Sequence, residues 1–270
     1  MIKPIHHLGR ILLAATILLG VVQGCSTVPE TGRSQLLLIS PRDEIRLGIS
    51  SFEEVKSTTP VSRNAQQNAV LQRVGRRIAA VADLPDATWE FVLFEDPKQA
   101  NAFCLPGGKV GVYTGILPIT RDENGLAAVV GHEVAHAIAR HGAERMSQSL
   151  LIQLGGQALA LALQTHSSLT QDLVLQAYGI GSQVGVALPH SRGQELEADH
   201  LGLLYMARAG YDPRNAIGFW QRFQAYNEER GGGPIEFLST HPLDDRRIAQ
   251  IETLLPQAER EYQQALQTRR

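Results

Sequence analysis

His132-Glu133-Val134-Ala135-His136 is the stretch of this 270-residue chain whose residue types and spacing could do chemistry. Two histidines four positions apart on a helix project from one face, close enough for both imidazoles to grip one zinc ion. Glu133, beside the first of them, stands where a carboxylate can take a proton from a water at that metal, the work of a general base in a hydrolase. Leu126, Val129, Val130 and Ile138 recur around the pair at helical spacing, so the motif falls on a helix.

A catalytic zinc takes three protein ligands and keeps a fourth position open. One scheme puts a histidine six residues after the second ligand and a glycine three after it. Here those positions hold Gly142 and Ala139, and the scheme fails. His141 is nine residues past His132, which on one continuous helix at about 100° per residue is the opposite face. The third ligand is expected instead from Glu195-Leu196-Glu197-Ala198-Asp199. Glu195 and Asp199 share a helix face, so Glu195 can ligate while Asp199 accepts the free N–H of a ligating histidine. Glu197, about 200° round the helix from Glu195, is the weaker candidate. His200 falls off the ligand face, His166 and His190 receive no role, and Cys104, beside a turn, reads as a buried thiol.

The elements that must position these residues follow from periodicity. Two helical patterns cover about 41–57 and 63–82, and the alternation from Trp89 to Phe94 predicts a strand. Residues 101–114 place a Pro106-Gly107-Gly108 turn between two short β-like runs. This predicts a small antiparallel sheet with Lys109 to Thr114 near an edge, where an extended peptide could add as a further strand. From Asp122 onward nearly everything reads as helix, beginning with one long segment over 122–148. The apolar run 149–164 is expected to be a buried hairpin helix rather than a membrane-dipping one, because it is short and Gln153 and Gln157 interrupt it. Ser191 to Gln194 open the next helix, Gly210 closes it, Asp212-Pro213 starts another, and a polar helix spans about 243–268. Gly231 to Gly233 is the obvious hinge. The expected fold class is α+β, mostly helical with one small antiparallel sheet, in a single domain over 41–270.

Composition narrows the partners. With 43% hydrophobic residues, 19% charged and ordinary Gly and Pro usage, a disordered or fibrous chain is excluded. A net charge of −2 and no Lys/Arg run longer than two argue against nucleic acid, and two cysteines exclude a disulfide-dense module. The start of the chain carries Lys3 and Arg10 and then twelve apolar residues, Ile11 to Val22, too few to span a bilayer comfortably. The run ends at Gly24-Cys25, which resembles the lipobox of bacterial lipoproteins. That resemblance implies a signal peptide over 1–24, cleavage before Cys25, lipidation of its thiol and a tether over 25–40. Ser26 in place of Asp then implies outer-membrane sorting. An uncleaved N-terminal anchor, or a plain secretory signal with a chance cysteine, is the alternative.

H-E-x-x-H followed about sixty residues later by S-R-x-x-E-x-E-A-D-x-x-G resembles the zinc metallopeptidase family of the CAAX prenyl endopeptidases, HtpX and the periplasmic proteases BepA and LoiP. Asn101-Ala102-Phe103, Pro106-Gly107-Gly108, Ser239-Thr240-His241-Pro242 and Arg247 extend the similarity over about residues 35–253. It implies a gluzincin-type domain holding one Zn2+ through His132, His136 and Glu195. Glu133 would be the general base, Asp199 would sit behind the ligands or act as proton donor, and His241 and Arg247 would line the site from the far side. The lack of spanning helices and of a helical-repeat tail makes the compact lipoprotein members such as LoiP the nearest likeness. The expected protein is a lipid-anchored outer-membrane endopeptidase facing the periplasm and acting on misfolded or unassembled envelope proteins. A chaperone or assembly factor with little proteolysis is the second reading. His241 could supply a fourth nitrogen and gate the zinc, its loop swinging on Gly231 to Gly233, or it could donate to the tetrahedral intermediate beside Arg247. The gate is preferred.

Overall fold

The computed structural model describes residues 25–182, 188–229, 237, 241–242 and 245–268. The expected signal peptide and the Gly231 to Gly233 hinge lie outside the described residues.

Helix α1 (Pro41–Thr58) starts where the Ser40 side chain accepts from the Asp43 amide and Pro41 sits in the first turn, and α2 (Ala65–Ala79) starts under an equivalent Asn64 cap. Three strands follow: β1 and β2 being the N-terminal pair described below, these are β3 (Glu90–Phe94), β4 (Ala102–Leu105) and β5 (Lys109–Tyr113), in the order β3-β5-β4. Gly107 and Gly108 adopt left-handed φ of 85° and 80°, turning β4 back into β5 as an antiparallel pair. β5 also pairs in parallel with β3, Phe91 opposite Val110 and Leu93 opposite Val112. The sheet is therefore mixed, and the expectation of an edge at Lys109 to Thr114 is overturned: β5 is covered on both sides and every one of its residues is buried. Gly111 of β5 is a point of close approach, where a Cβ would meet the Phe103 and Phe94 rings at 2.3 and 2.8 Å. The outer strand beside the metal-motif helix is β4.

Helix α4 (Glu123–Ile138), after the short α3 (Leu117–Thr120), is buried from Gly125 to Ile138. The single long helix expected over 122–148 does not form. Arg140 takes a left-handed conformation (φ 56°, ψ 34°), and a new helix, α5 (His141–Ala162), leaves in another direction. The Arg140 side chain is held there by Glu44 at 2.7 Å and by the Ile39 carbonyl. Then come α6 (Ser168–Ser182), α7 (Leu188–Arg208), α8 (Arg214–Glu229) and α9 (Asp245–Thr268). The core joins Leu126, Val130 and Val134 of α4 to Leu201, Leu204 and Tyr205 of α7 and to Phe219 and Phe223 of α8. α4 and α7 cross at glycine: a Cβ on Gly202 would lie 2.8 Å from the His132 backbone, and one on Gly131 2.8 Å from the Gly202 carbonyl. The fold class is α+β and mostly helical, as expected.

Two further expectations are corrected. The run 149–164 is not a buried hairpin. Leu161 and Leu169 are 66% and 68% exposed, Leu154, Leu173 and Ile180 are exposed beside them, and α6 has no buried residue. α6 packs mainly on α5, whose first turns in addition contact α4 and β2. Among the described residues no helix is long and apolar enough to cross a membrane. Residues 25–36 are not slack either. β1 (Cys25–Thr27) and β2 (Ser34–Leu36) pair as an antiparallel hairpin, Val28 is buried in the main core, and the Leu38 amide donates to Ser147 of α5 at 2.8 Å.

Candidate metal centre

α4 presents His132 and His136 one turn apart, α7 presents Glu195 across the glycine crossing, and the residues preceding α9 bring in His241. One ligand atom from each of these four buried residues falls within 4.8 Å of all the others. His132 Nε2 lies 3.1 Å from His136 Nε2, 3.3 Å from Glu195 Oε2 and 3.3 Å from His241 Nδ1. His136 Nε2 is 3.3 Å from Glu195 Oε1, and His241 Nδ1 is 3.1 Å from both Glu195 oxygens. A tetrahedral zinc with bonds of about 2.0–2.1 Å has ligand-to-ligand edges of about 3.3 Å. The nitrogen and oxygen lone pairs converge at that spacing, so the residues present fit a metal ion. A second sign is Glu133 Oε1. It is buried, makes no hydrogen bond among the described residues, and lies 3.4 Å from His241 Nε2.

Behind His132, Nδ1 lies 3.0 Å from Asp199 Oδ1. The buried Arg247 guanidinium forks onto the same carboxylate at 2.7 and 2.8 Å and lies 4.0 Å over the Trp220 ring. Its Nη1 also reaches Glu195 at 3.3 Å. Arg247 therefore faces Asp199 and Glu195 and has little left for a substrate. Behind His136, Nδ1 lies 2.8 Å from Nδ1 of fully buried His141, whose Nε2 lies 2.9 Å from Glu197. The expectation that His141 points away fails because the left-handed Arg140 ends α4 and turns the chain. Glu197 does stay out of the metal cluster, as its place on α7 implies, but it is joined to it through His141. His141, Glu197 and Trp220 are the members of the site that the sequence did not reveal.

The electrostatics follow from burial set against pairing. Burial would raise Glu195, but His136, His132 and His241 outweigh it and hold the carboxyl far below its usual range. Burial likewise opposes the ionised form of Asp199, and Arg247 outweighs it. For Glu133 burial outweighs the nearby His241 and His132 rings and raises the carboxyl, as expected of a carboxylate kept for proton transfer. Cys104, half-buried on β4, is pushed up by burial and is no thiolate nucleophile.

Residues 65–255 match the profile of peptidase family M48. The mitochondrial metalloendopeptidase OMA1 of Schizosaccharomyces pombe is 37% identical, over 86% of this chain and 67% of its own length. The mitochondrial metalloendopeptidase OMA1 of Homo sapiens is 32% identical, over 85% of this chain and 46% of its own length. The β-barrel assembly-enhancing protease of Yersinia pestis is 28% identical, over 85% and 47% respectively. The chain thus spans about half the length of the last two. These relatives overturn the bacterial outer-membrane placement read from residues 11–26, since the two with 32–37% identity are mitochondrial by name.

Proposed function

The chain belongs to peptidase family M48 and is a metallopeptidase, and from that premise we propose that it is a zinc endopeptidase of protein quality control, tethered to a membrane through Cys25. The observation that carries the reading is the set of four buried residues whose ligand atoms lie within 4.8 Å of one another, with a Glu133 oxygen that makes no hydrogen bond among the described residues beside them. His132, His136 and Glu195 would hold the metal. When bound, zinc supplies a Lewis acid that polarises a scissile carbonyl and acidifies a water. Glu133 Oε1 takes the proton of the attacking water and returns it to the leaving nitrogen. Asp199, clamped by Arg247, keeps the His132 ring in the tautomer that leaves Nε2 free to ligate. Misfolded or unassembled envelope proteins are the proposed substrates, a reading supported by the assembly-enhancing protease among the relatives. Such chains are extended, and β4, the outer strand next to α4, offers main-chain pairing without sequence demands.

Hydrolysis of unfolded casein should stop on chelation and return with zinc but not with magnesium. A zinc-loaded protein that leaves casein intact would sink the proposal. In the same preparation Cys25→Ala should lose lipid labelling and leave the membrane fraction. Retention there would move the attachment to the exposed leucines of α5 and α6.

His241 Nδ1 occupies the fourth corner of the cluster, which supports its role as a gate that must swing aside for substrate. His241→Ala should then keep its metal and hydrolyse casein as fast as wild type or faster. A fall of ~10²-fold with metal still bound would assign it instead to the developing oxyanion.

A further inference from the structure

We propose that His141, Glu197 and Arg33 form a positioning relay through which the N-terminal β1–β2 hairpin holds the metal ligand His136. The inference rests on the reading of His136 as a ligand. A neutral histidine that ligates through Nε2 carries its one ring proton on Nδ1. That proton has a single close acceptor, His141 Nδ1 at 2.8 Å, so His141 must carry its own proton on Nε2, from which it donates to Glu197 Oε2 at 2.9 Å. Each ring's tautomer is fixed by the group behind it, and the series ends on a carboxylate.

What fixes that carboxylate comes from the other end of the chain. The Thr31 hydroxyl donates to Glu197 Oε1, and Arg33 Nε donates to Oε2 at 2.7 Å. The remaining nitrogens of Arg33 fork onto Glu144 of α5 at 2.7 and 2.9 Å. Both carboxylates are buried, while Arg33 is 30% exposed at the rim. One guanidinium from the turn between β1 and β2 thus bridges two buried acids on two helices, and a lysine could not fork across both. The two ligating histidines are therefore supported differently. His132 is backed by Asp199, Arg247 and Trp220, all within the core. His136 is backed by a series that leaves the core and ends six to eight residues after Cys25. Displacing the hairpin would loosen one ligand and spare the other.

Zinc affinity of the full-length protein, measured by competition with a chromophoric chelator, tests the relay without reference to turnover. Arg33→Ala and His141→Ala should each weaken zinc about 10- to 100-fold. The double variant should be no weaker than the worse single, because both break the same series. His141→Gln should stay near wild type, since its amide can accept from His136 and donate to Glu197. Wild-type affinity in Arg33→Ala, additive losses in the double variant, or equal losses in His141→Ala and His141→Gln would overturn the relay. If Arg33→Ala does not fold, the His141 pair and the milder Thr31→Val, expected to weaken zinc by less, decide the matter alone. His136→Ala separates the premise from the inference. Should it retain zinc fully, the ligand assignment is at fault. Should it lose zinc while the relay variants keep it, the relay is at fault.

Discussion

Glu133→Gln should cut casein hydrolysis by about 10²- to 10⁴-fold, the usual worth of a positioned general base, with metal content and unfolding temperature unchanged. The substitution is isosteric and leaves His132, His136 and Glu195 in place. The Glu133 oxygen it alters makes no hydrogen bond among the described residues, so no structural partner is lost. What disappears is the capacity to accept a proton at a point 3.4 Å from His241 Nε2, at the mouth of the cluster. A protein that still holds its metal but cannot turn over should also retain bound chains, and these can be identified by mass spectrometry. Substantial turnover in Glu133→Gln would place the base elsewhere, with Asp199 the next carboxylate to test.

Arg247→Ala should be the most damaging change to the fold, costing about 3–5 kcal/mol. It strips a bidentate partner from the buried Asp199 and leaves a carboxylate in the core with only the His132 ring nearby. It also removes the cation stacked on Trp220 and the contacts to the His241 and Pro242 carbonyls. For a domain of this size the loss corresponds to a fall in melting temperature of about 10 °C. Arg247→Lys, which keeps the charge and loses the fork, should lie between the two. The pH dependence has a definite sign. Asp199 is held below its ordinary range in the wild type, so its contribution is complete above that range and fades as the pH falls from there through the lowered value. In Arg247→Ala only the His132 ring still opposes burial and the carboxyl rises, so this acid-dependent component should shrink. Equal melting temperatures in the wild type and Arg247→Ala would show that the pair is idle.

The convergence of His132, His136 and Glu195 was legible because an i, i+4 pair of histidines and the shared face of Glu195 and Asp199 are properties of one helix each, which need no knowledge of the rest. What was hidden depends on partners far away in the chain. No glycine or proline marks the break after α4. Arg140 is left-handed because Glu44 and the Ile39 carbonyl, about a hundred residues earlier, hold its side chain. Continuing the helix through Arg140 therefore sent His141 to the wrong side. The central place of β5 follows from its parallel pairing with β3, which the local pattern of residues 101–114 does not carry. The apolar run at 149–164 looked buried by composition alone, and composition does not say whether anything packs on it. The link from Arg33 to Glu197 joins residues 164 apart and has no local signature at all.

The folded state of residues 25–36 also sets a length. Twelve residues of slack chain after an anchoring point could carry a domain up to about 40 Å away from it. With β1 and β2 paired and Val28 buried, that slack is taken up, and an anchor at Cys25 would lie against the body of the protein. The hairpin would then act as a ruler, fixing how far the H-E-x-x-H helix stands from whatever surface holds Cys25.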